Sequence, residues 1–475
     1  MGGATVGGVT KRSLEDLLRC GVNPVELLRN SRVGAYVYPV VPAEFTNWRD
    51  EQLAWQRTCV LYDQSHHMAN LFVAGPDAIR LLSYLAVNTF HNFTVGKAKQ
   101  FVPCGHDGYV IGDGILFHPD ESQYVFVGRT PVVNWIQFHA ETGDYDVTVH
   151  RDDRSPSRPM GKPVSRSLYR YQIQGPNAER LIQKLNGGPI PDIPFFTMDY
   201  ITIAGRRVRA LRHGMAGQPG LEIFGPYEEA EEIRAAILEA GQEFGLAQVG
   251  SRAYATNALE SGWIPSPLPG VYTGERMRSY RQWLAEDGYE GTGGSLAGSF
   301  VSDDVEDYCL TPYELGYGHL VRFDHDFIGR AALAGVDKAS RWRKVTLAWN
   351  AEDVTTVFAS LFDRDQDPYK YIDVPLSNYG AASYDRVEAG GELVGYSMFT
   401  GYSHNERTML SLATVDPRLD VGAEVTVIWG EPGGGTAKTT VERHRQAAVR
   451  ATVAPAPYAR EAREHYAEGW RTAQR

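Results

Sequence analysis

Three segments of the chain repeat one design: an extended apolar run, a Gly-Pro step, then apolar residues at helical spacing. They are Leu71-Phe-Val-Ala-Gly75-Pro76, Tyr171-Gln-Ile-Gln-Gly175-Pro176 and Leu221-Glu-Ile-Phe-Gly225-Pro226. Pro at a first helical position has no amide to waste and a preset φ, so each segment reads as a strand feeding a helix. Ile79, Leu82 and Leu85 follow the first step, Ala178, Leu181 and Leu185 the second, and Ile233, Ile237 and Phe244 the third. The intervals are unequal, which excludes a solenoid. The pattern predicts two related α+β lobes, with helices packed on antiparallel sheets. At 475 residues the chain is also too long for one core, because cores stop growing near roughly 250–300 residues.

The rest of the chain divides around these units. Residues 1–34 read as a helical extension, with Leu14, Leu17 and Leu18 at helical spacing and Leu27 and Leu28 after Pro24. The first lobe takes 35–170, completed by 280–335, and the second takes 171–279. The Gly-, Pro- and Tyr-rich stretch from Trp263 to Ser299 reads as long ordered loops, which in a compact enzyme tend to be functional. From Trp342 onward, Val345-Thr-Leu-Ala-Trp, Glu392-Leu-Val-Gly-Tyr-Ser-Met-Phe, Met409-Leu-Ser-Leu-Ala and Glu424-Val-Thr-Val-Ile-Trp read as strands. They predict a β-barrel or sandwich over 340–458, followed by a charged, peripheral helical tail at 459–475.

Charge narrows the partners. With 47 Lys and Arg against 58 Asp and Glu the net charge is −11, which argues against nucleic acid and anionic membrane. An anionic ligand then needs a local cationic pocket. No apolar run nears the roughly 18 residues of a membrane span, and Met-Gly-Gly-Ala-Thr-Val lacks a signal peptide's apolar core. Cys20, Cys59, Cys104 and Cys309 form no CxxC pair, so they read as small core residues of a cytoplasmic protein. There is no phosphate loop, dinucleotide fingerprint, HExxH or GxSxG. His66 and His67 are adjacent, so on regular structure they point apart and no metal is expected. Nothing in the pattern specifies an oligomer.

Motif order carries the reading further. His213-Gly-Met-Ala-Gly-Gln-Pro-Gly-Leu-Glu222, Ala253 to Gly262, Thr311-Pro-Tyr-Glu-Leu-Gly with Phe327 to Leu333, Gly391-Glu-Leu-Val-Gly395 and Ala456-Pro-Tyr458 occur in sequence. Together, over roughly residues 35–458, they resemble the aminomethyltransferase family. The resemblance implies a three-domain cloverleaf, two related α+β lobes plus a C-terminal β-barrel. It also implies tetrahydrofolate in the central hole and a one-carbon group exchanged at its N5. Two departures are informative: the family's Arg before Asp-x-Leu is Tyr254, and its Asp-Asp pair is Gly112-Asp113. Phe45 to Glu51, Asp63-Gln-Ser-His-His-Met68, Gly128-Arg-Thr-Pro131 and Tyr254 to Pro265 are instead similar to the tetrahydrofolate-dependent aromatic O-demethylases.

Residue roles follow. Demethylating an aryl ether releases a phenolate, and a Tyr hydroxyl, with a reference pKa of about 10, is a matched proton donor; Tyr254 is that candidate, and the resemblance points to it too. Arg129 ends a strand, where a guanidinium can grip a carboxylate bidentately. The resemblance implies substrate contacts from His67, from Tyr36 (with Tyr38 as its rival) and from Ser295. It implies a folate site of Glu222, accepting from the pterin edge, with Gln64 and Trp263, whose ring can stack on the ligand. Asp113 aligns with the family's catalytic Asp. The expected reaction moves a methyl group from a methoxylated aromatic acid such as vanillate, syringate or 3-O-methylgallate to tetrahydrofolate. A sulfonium or methylamine donor, an aminomethyl transfer, and a folate-binding regulator without turnover stand as alternatives.

Overall fold

The computed structural model describes residues 12–156, 163–265 and 267–469. Two of the three Gly-Pro steps are built alike. Ala69–Ala74 ends at Gly75 (φ 135°) before the helix Ala78–Leu85, and Leu168–Gln174 ends at Gly175 (φ 131°) before Ala178–Asn186. A Cβ at either glycine would stand 2.4 Å from the Asp146 carbonyl oxygen or 2.5 Å from that of Thr58, so only glycine fits. Pro76 and Pro176 precede the N-cap residues Asp77 and Asn177 instead of opening the helices, and they stiffen the turn. The third step differs: Pro226 closes the strand Gly220–Pro226, and one 3-10 turn separates it from the helix Ala230–Gly241.

The first sheet is antiparallel, in the order Lys97–Phe101, Gly114–Asp120, Gln123–Gly128, Ala69–Ala74, Thr148–Asp152. The second runs Leu246–Gln248, Cys59–Asp63, Leu168–Gln174, Gly220–Pro226, Arg206–Leu211, Met198–Ile203. Cys59–Asp63 therefore belongs to the second sheet, not to a first lobe bounded at 35–170. Its Cys59 and Leu61 are buried with Tyr169, Ile173 and Ile223. The chain crosses between the sheets at residues 64–68, and this crossing positions the site.

Six strands close the third unit into a barrel: Arg343–Trp349, Thr408–Val415, Glu392–Ser403, Asp385–Ala389, Glu424–Trp429 and Ala447–Ala454. Alternate residues such as Leu347, Val387, Val427 and Val449 fill it. The N-terminal helices Leu14–Arg19 and Pro24–Arg29 pack on the body, where Glu15 pairs with buried Arg281 at 2.6 Å. The tail is less peripheral than its charge suggests, since Ala462 lies against Gly217 and the Tyr466 ring against Phe195. Among the described residues no helix is long and apolar enough to cross a membrane.

Candidate active site

Two buried glutamates hold the framework. Glu51, in the helix Trp48–Arg57, accepts from the amides of Phe45, Thr46 and Gly250, which fixes the start of the short helix Ser251–Tyr254. Glu260 accepts from the Trp55 indole (2.8 Å) and from Ser403 of the barrel (2.7 Å). Between these anchors lies a cavity of about 360 Å³, lined by Tyr36, Tyr38, His67, Arg129, Tyr254 and Trp263, with Met398 and Phe399 from the barrel.

His67 sits on the crossing between the sheets. Its Nδ1 is 3.1 Å from the Gln64 carbonyl, which can only accept, so Nδ1 carries the hydrogen. Burial, with Arg170 and Arg129 nearby, presses its pKa down to about 3, so the ring is neutral. Nε2 is then a bare acceptor, and the Tyr254 hydroxyl donates to it at 3.0 Å. The Gln64 amide donates to the same hydroxyl at 3.2 Å, and the Met215 sulfur is also 3.2 Å away. The Tyr38 ring packs 4.0 Å from the Tyr254 ring. His66 turns away, to Ser155 and Tyr227. Burial pushes the Tyr254 hydroxyl well above the usual tyrosine range. Burial thus keeps the Tyr254 hydroxyl protonated and able to donate a hydrogen bond.

Arg129 is the N-cap of the helix Thr130–Thr142, and its guanidinium carbon lies 5.0 Å from the Tyr36 ring. The Tyr36 hydroxyl donates to the His67 carbonyl. Five residues predicted from sequence, Tyr36, Gln64, His67, Arg129 and Tyr254, thus meet in one place.

The other four stand differently. Glu222 is buried behind the cavity wall and pairs with Arg170 and, at 3.5 Å, His213. Burial alone would raise its carboxyl, but the Arg170 guanidinium and the hydrogen-bonding His213 ring hold it at about 2. It connects to the cavity through Gln172, whose amide oxygen is 3.4 Å from Gln64 Nε2. Trp263 lines the cavity, but its indole N–H is committed to Asp113 Oδ2 at 2.9 Å. That oxygen also accepts from Tyr317 (2.7 Å) and Gln100, so Asp113 stands behind Trp263 and not among the groups facing the cavity. Ser295 is corrected as well: its hydroxyl oxygen accepts from the Ala381 amide at 2.9 Å and its carbonyl from Ala382, so it backs the wall segment 380–383.

Arg170, Gln172 and Met215 were missed by sequence. A signal existed for two of them: Arg170, Gln172 and Gln174 alternate with Tyr169, Tyr171 and Ile173, a polar face on a strand buried from Tyr169 onward. Gln64 Oε1 and Arg170 Nη1 are buried polar atoms without a partner among the described residues. With Glu222 they present acceptors and donors suited to the amide and amino edges of a pterin.

Two α+β sheets and a closed barrel meeting at a buried tyrosine–histidine pair define a protein of the aminomethyltransferase type. The GCVT N-terminal domain family matches residues 30–266. The chain is 49% identical to syringate O-demethylase of Sphingobium sp. over 97% of its length and 99% of the relative. It is 33% identical to sesamin methylene transferase of Sinomonas sp., covering 83% of this chain and 87% of that one. The structure of glycine cleavage system aminomethyltransferase T from Bartonella henselae has the same fold, with a TM-score of 0.60 at 16% identity over 94% of this chain and 98% of that chain. The chain belongs to the GCVT family.

Proposed function

We propose that this protein is a tetrahydrofolate-dependent O-demethylase that takes the methyl group of a methoxylated aromatic acid and releases a phenol. The observation that carries the reading is the convergence of Tyr254, His67 and Arg129 on one 360 Å³ cavity, in a chain half identical to a syringate O-demethylase. Tetrahydrofolate, when bound, supplies the N5 that accepts the methyl group. Gln64, backed by Gln172, Arg170 and Glu222, would hold its pterin edge.

The chain's own groups act on the leaving oxygen. The donor's carboxylate pairs with Arg129, which turns the methoxy group toward Tyr254. As the bond between the methyl carbon and the aryl oxygen breaks and its electron pair stays on that oxygen, the Tyr254 hydroxyl turns its hydrogen from His67 to it; the proton that N5 would lose on methylation balances the phenol released. His67, neutral and held by the Gln64 carbonyl, keeps the hydroxyl aimed when no substrate oxygen is present. The apolar walls exclude water, which strengthens this hydrogen bond at the developing phenolate. Asp113 is a positioning residue for Trp263. The guanidinium in the wall disfavours a cationic sulfonium or methylamine donor. The free thiols fit a reducing cytoplasm.

The test is incubation with tetrahydrofolate and a panel of methoxybenzoates, followed by chromatography for 5-methyltetrahydrofolate. Syringate or vanillate yields it, and a chelator does not stop the reaction. Full turnover without tetrahydrofolate contradicts the proposal.

A further inference from the structure

Met215 lines the cavity and is half-buried, so part of its side chain faces the open space. Its Sδ lies 3.2 Å from the Tyr254 hydroxyl oxygen and 2.6 Å from Gln64 Nε2. His67 Nε2 meets the same hydroxyl at 3.0 Å. Gln64 leads on through Gln172, at 3.4 Å, to the strands that carry Arg170 and Glu222. The Tyr254 hydroxyl is therefore flanked by His67 and by the pair Gln64 and Met215, and that pair belongs to the folate side. A thioether is a weak acceptor, so it leaves the hydroxyl hydrogen available to a leaving oxygen.

A leaving oxygen that accepts from Tyr254 stands about 2.7–2.8 Å from that hydroxyl. Its alkyl carbon is one bond further and has to turn toward N5, which is the side of Gln64 and Met215. A methyl group turned that way comes within van der Waals reach of the sulfur, about 3.5–4 Å. A second carbon would occupy the space that the thioether fills. The loop that carries Met215 is held on both flanks. The His213 carbonyl accepts from the Gln172 and Gln174 side-chain amides at 3.2 and 3.3 Å, and the Ala216 amide donates to Gln174 Oε1 at 2.9 Å. Just beyond, Gly217 (φ 66°) lies against Ala462. With the backbone pinned, the length of this one side chain decides how large a group fits beside Tyr254.

Resting on the cavity reading above, we propose that Met215 is a specificity-determining residue that limits the transferred group to one carbon and excludes ethyl and longer ethers. The balance is the same for either alkyl group: the carbon–oxygen pair stays on the aryl oxygen, a carbon–N5 bond forms, and the proton lost from N5 balances the phenol. The tests are Met215→Ala, Met215→Val and Met215→Leu in the full chain, with vanillate compared against 3-ethoxy-4-hydroxybenzoate. Chromatography separates 5-methyl- from 5-ethyltetrahydrofolate. One methylene in a fitted pocket is worth about 10–200-fold in kcat/KM, and the parent prefers vanillate by at least that factor. Alanine and valine narrow the preference about tenfold or more by admitting the ethyl group. Leucine, close to methionine in volume, keeps it. The lower intrinsic reactivity of an ethyl carbon is common to all four proteins, so a change in the ratio reports the pocket. Magnetic resonance of isotope-labelled methionine methyls adds a readout apart from turnover. The signal absent from Met215→Leu belongs to Met215, and vanillate shifts it through the field of its ring. Equal use of both ethers by the parent, an unmoved ratio in whichever shortened variant folds, or a Met215 signal indifferent to vanillate overturns the inference and leaves the cavity reading standing. Failure of the parent on every methoxyarene overturns that reading and this inference with it.

Discussion

Replacing Tyr254 by Phe removes one oxygen and leaves a ring that is 5% exposed and packed against Tyr38 and Tyr62. That oxygen satisfies His67 Nε2 and accepts from Gln64, so its loss leaves a buried acceptor and a buried donor short of a partner. The cost in stability is about 1–3 kcal/mol, because the groups left behind have already been desolvated. The cost in rate is larger. Positioned proton donors contribute about 10²–10⁴-fold, and kcat falls by that order with little change in KM. The raised pKa of Tyr254 adds a constraint. A donor that stays protonated helps most where the departing phenolate is most basic, so electron-withdrawing substituents on the donor ring shrink the defect. It also places any alkaline fall in kcat due to Tyr254 above about pH 10. The assay is 5-methyltetrahydrofolate formation by parent and variant over a series of substituted methoxybenzoates, with urea unfolding of both. Near-parent turnover in the Phe variant refutes the reasoning. A large loss independent of the leaving group reduces Tyr254 to a positioning residue.

His67, with a pKa depressed from 6.5 to about 3, stabilises the fold above its unfolded pKa and loses that contribution as pH falls through this window. Between pH 7 and pH 5 the parent loses on the order of 2 kcal/mol more than His67→Gln, measured by denaturant unfolding. Glu222→Gln strands the buried Arg170 charge, lowers stability by about 3 kcal/mol, and raises the KM for tetrahydrofolate much more than that for the arene, as thermal melts and kinetics show. Asp113→Asn keeps an acceptor for Trp263 and Tyr317, so kcat falls less than the roughly 100-fold loss expected for a catalytic carboxylate; a larger loss returns Asp113 to the chemistry.

The parts of the fold written in local chemistry were legible. Gly75 and Gly175 announce strand–helix turns because nothing larger fits them, and the alternating runs after Trp342 mark the barrel strands. The sheet to which Cys59–Asp63 belongs was not legible. A short apolar strand has the same period in either sheet, and only the long-range pairing with Leu168–Gln174 decides between them. Tyr254, His67, Gln64, Arg129 and Tyr36, picked out by motif context, are neighbours in the structure. Asp113 and Ser295 were misplaced because a motif identifies a position along the chain, not the direction of its side chain. Trp263 points its N–H at Asp113, and Ser295 spends its oxygen on Ala381.

The central claim is that the methyl group passes intact from aryl oxygen to tetrahydrofolate. Syringate bearing an isotope-labelled methoxy carbon, incubated with the enzyme and tetrahydrofolate, tests it by magnetic resonance. The account predicts one labelled 5-methyltetrahydrofolate for each phenol formed, with all three methyl hydrogens retained. Label recovered as methanol or formaldehyde, or phenol formed without labelled folate, contradicts it.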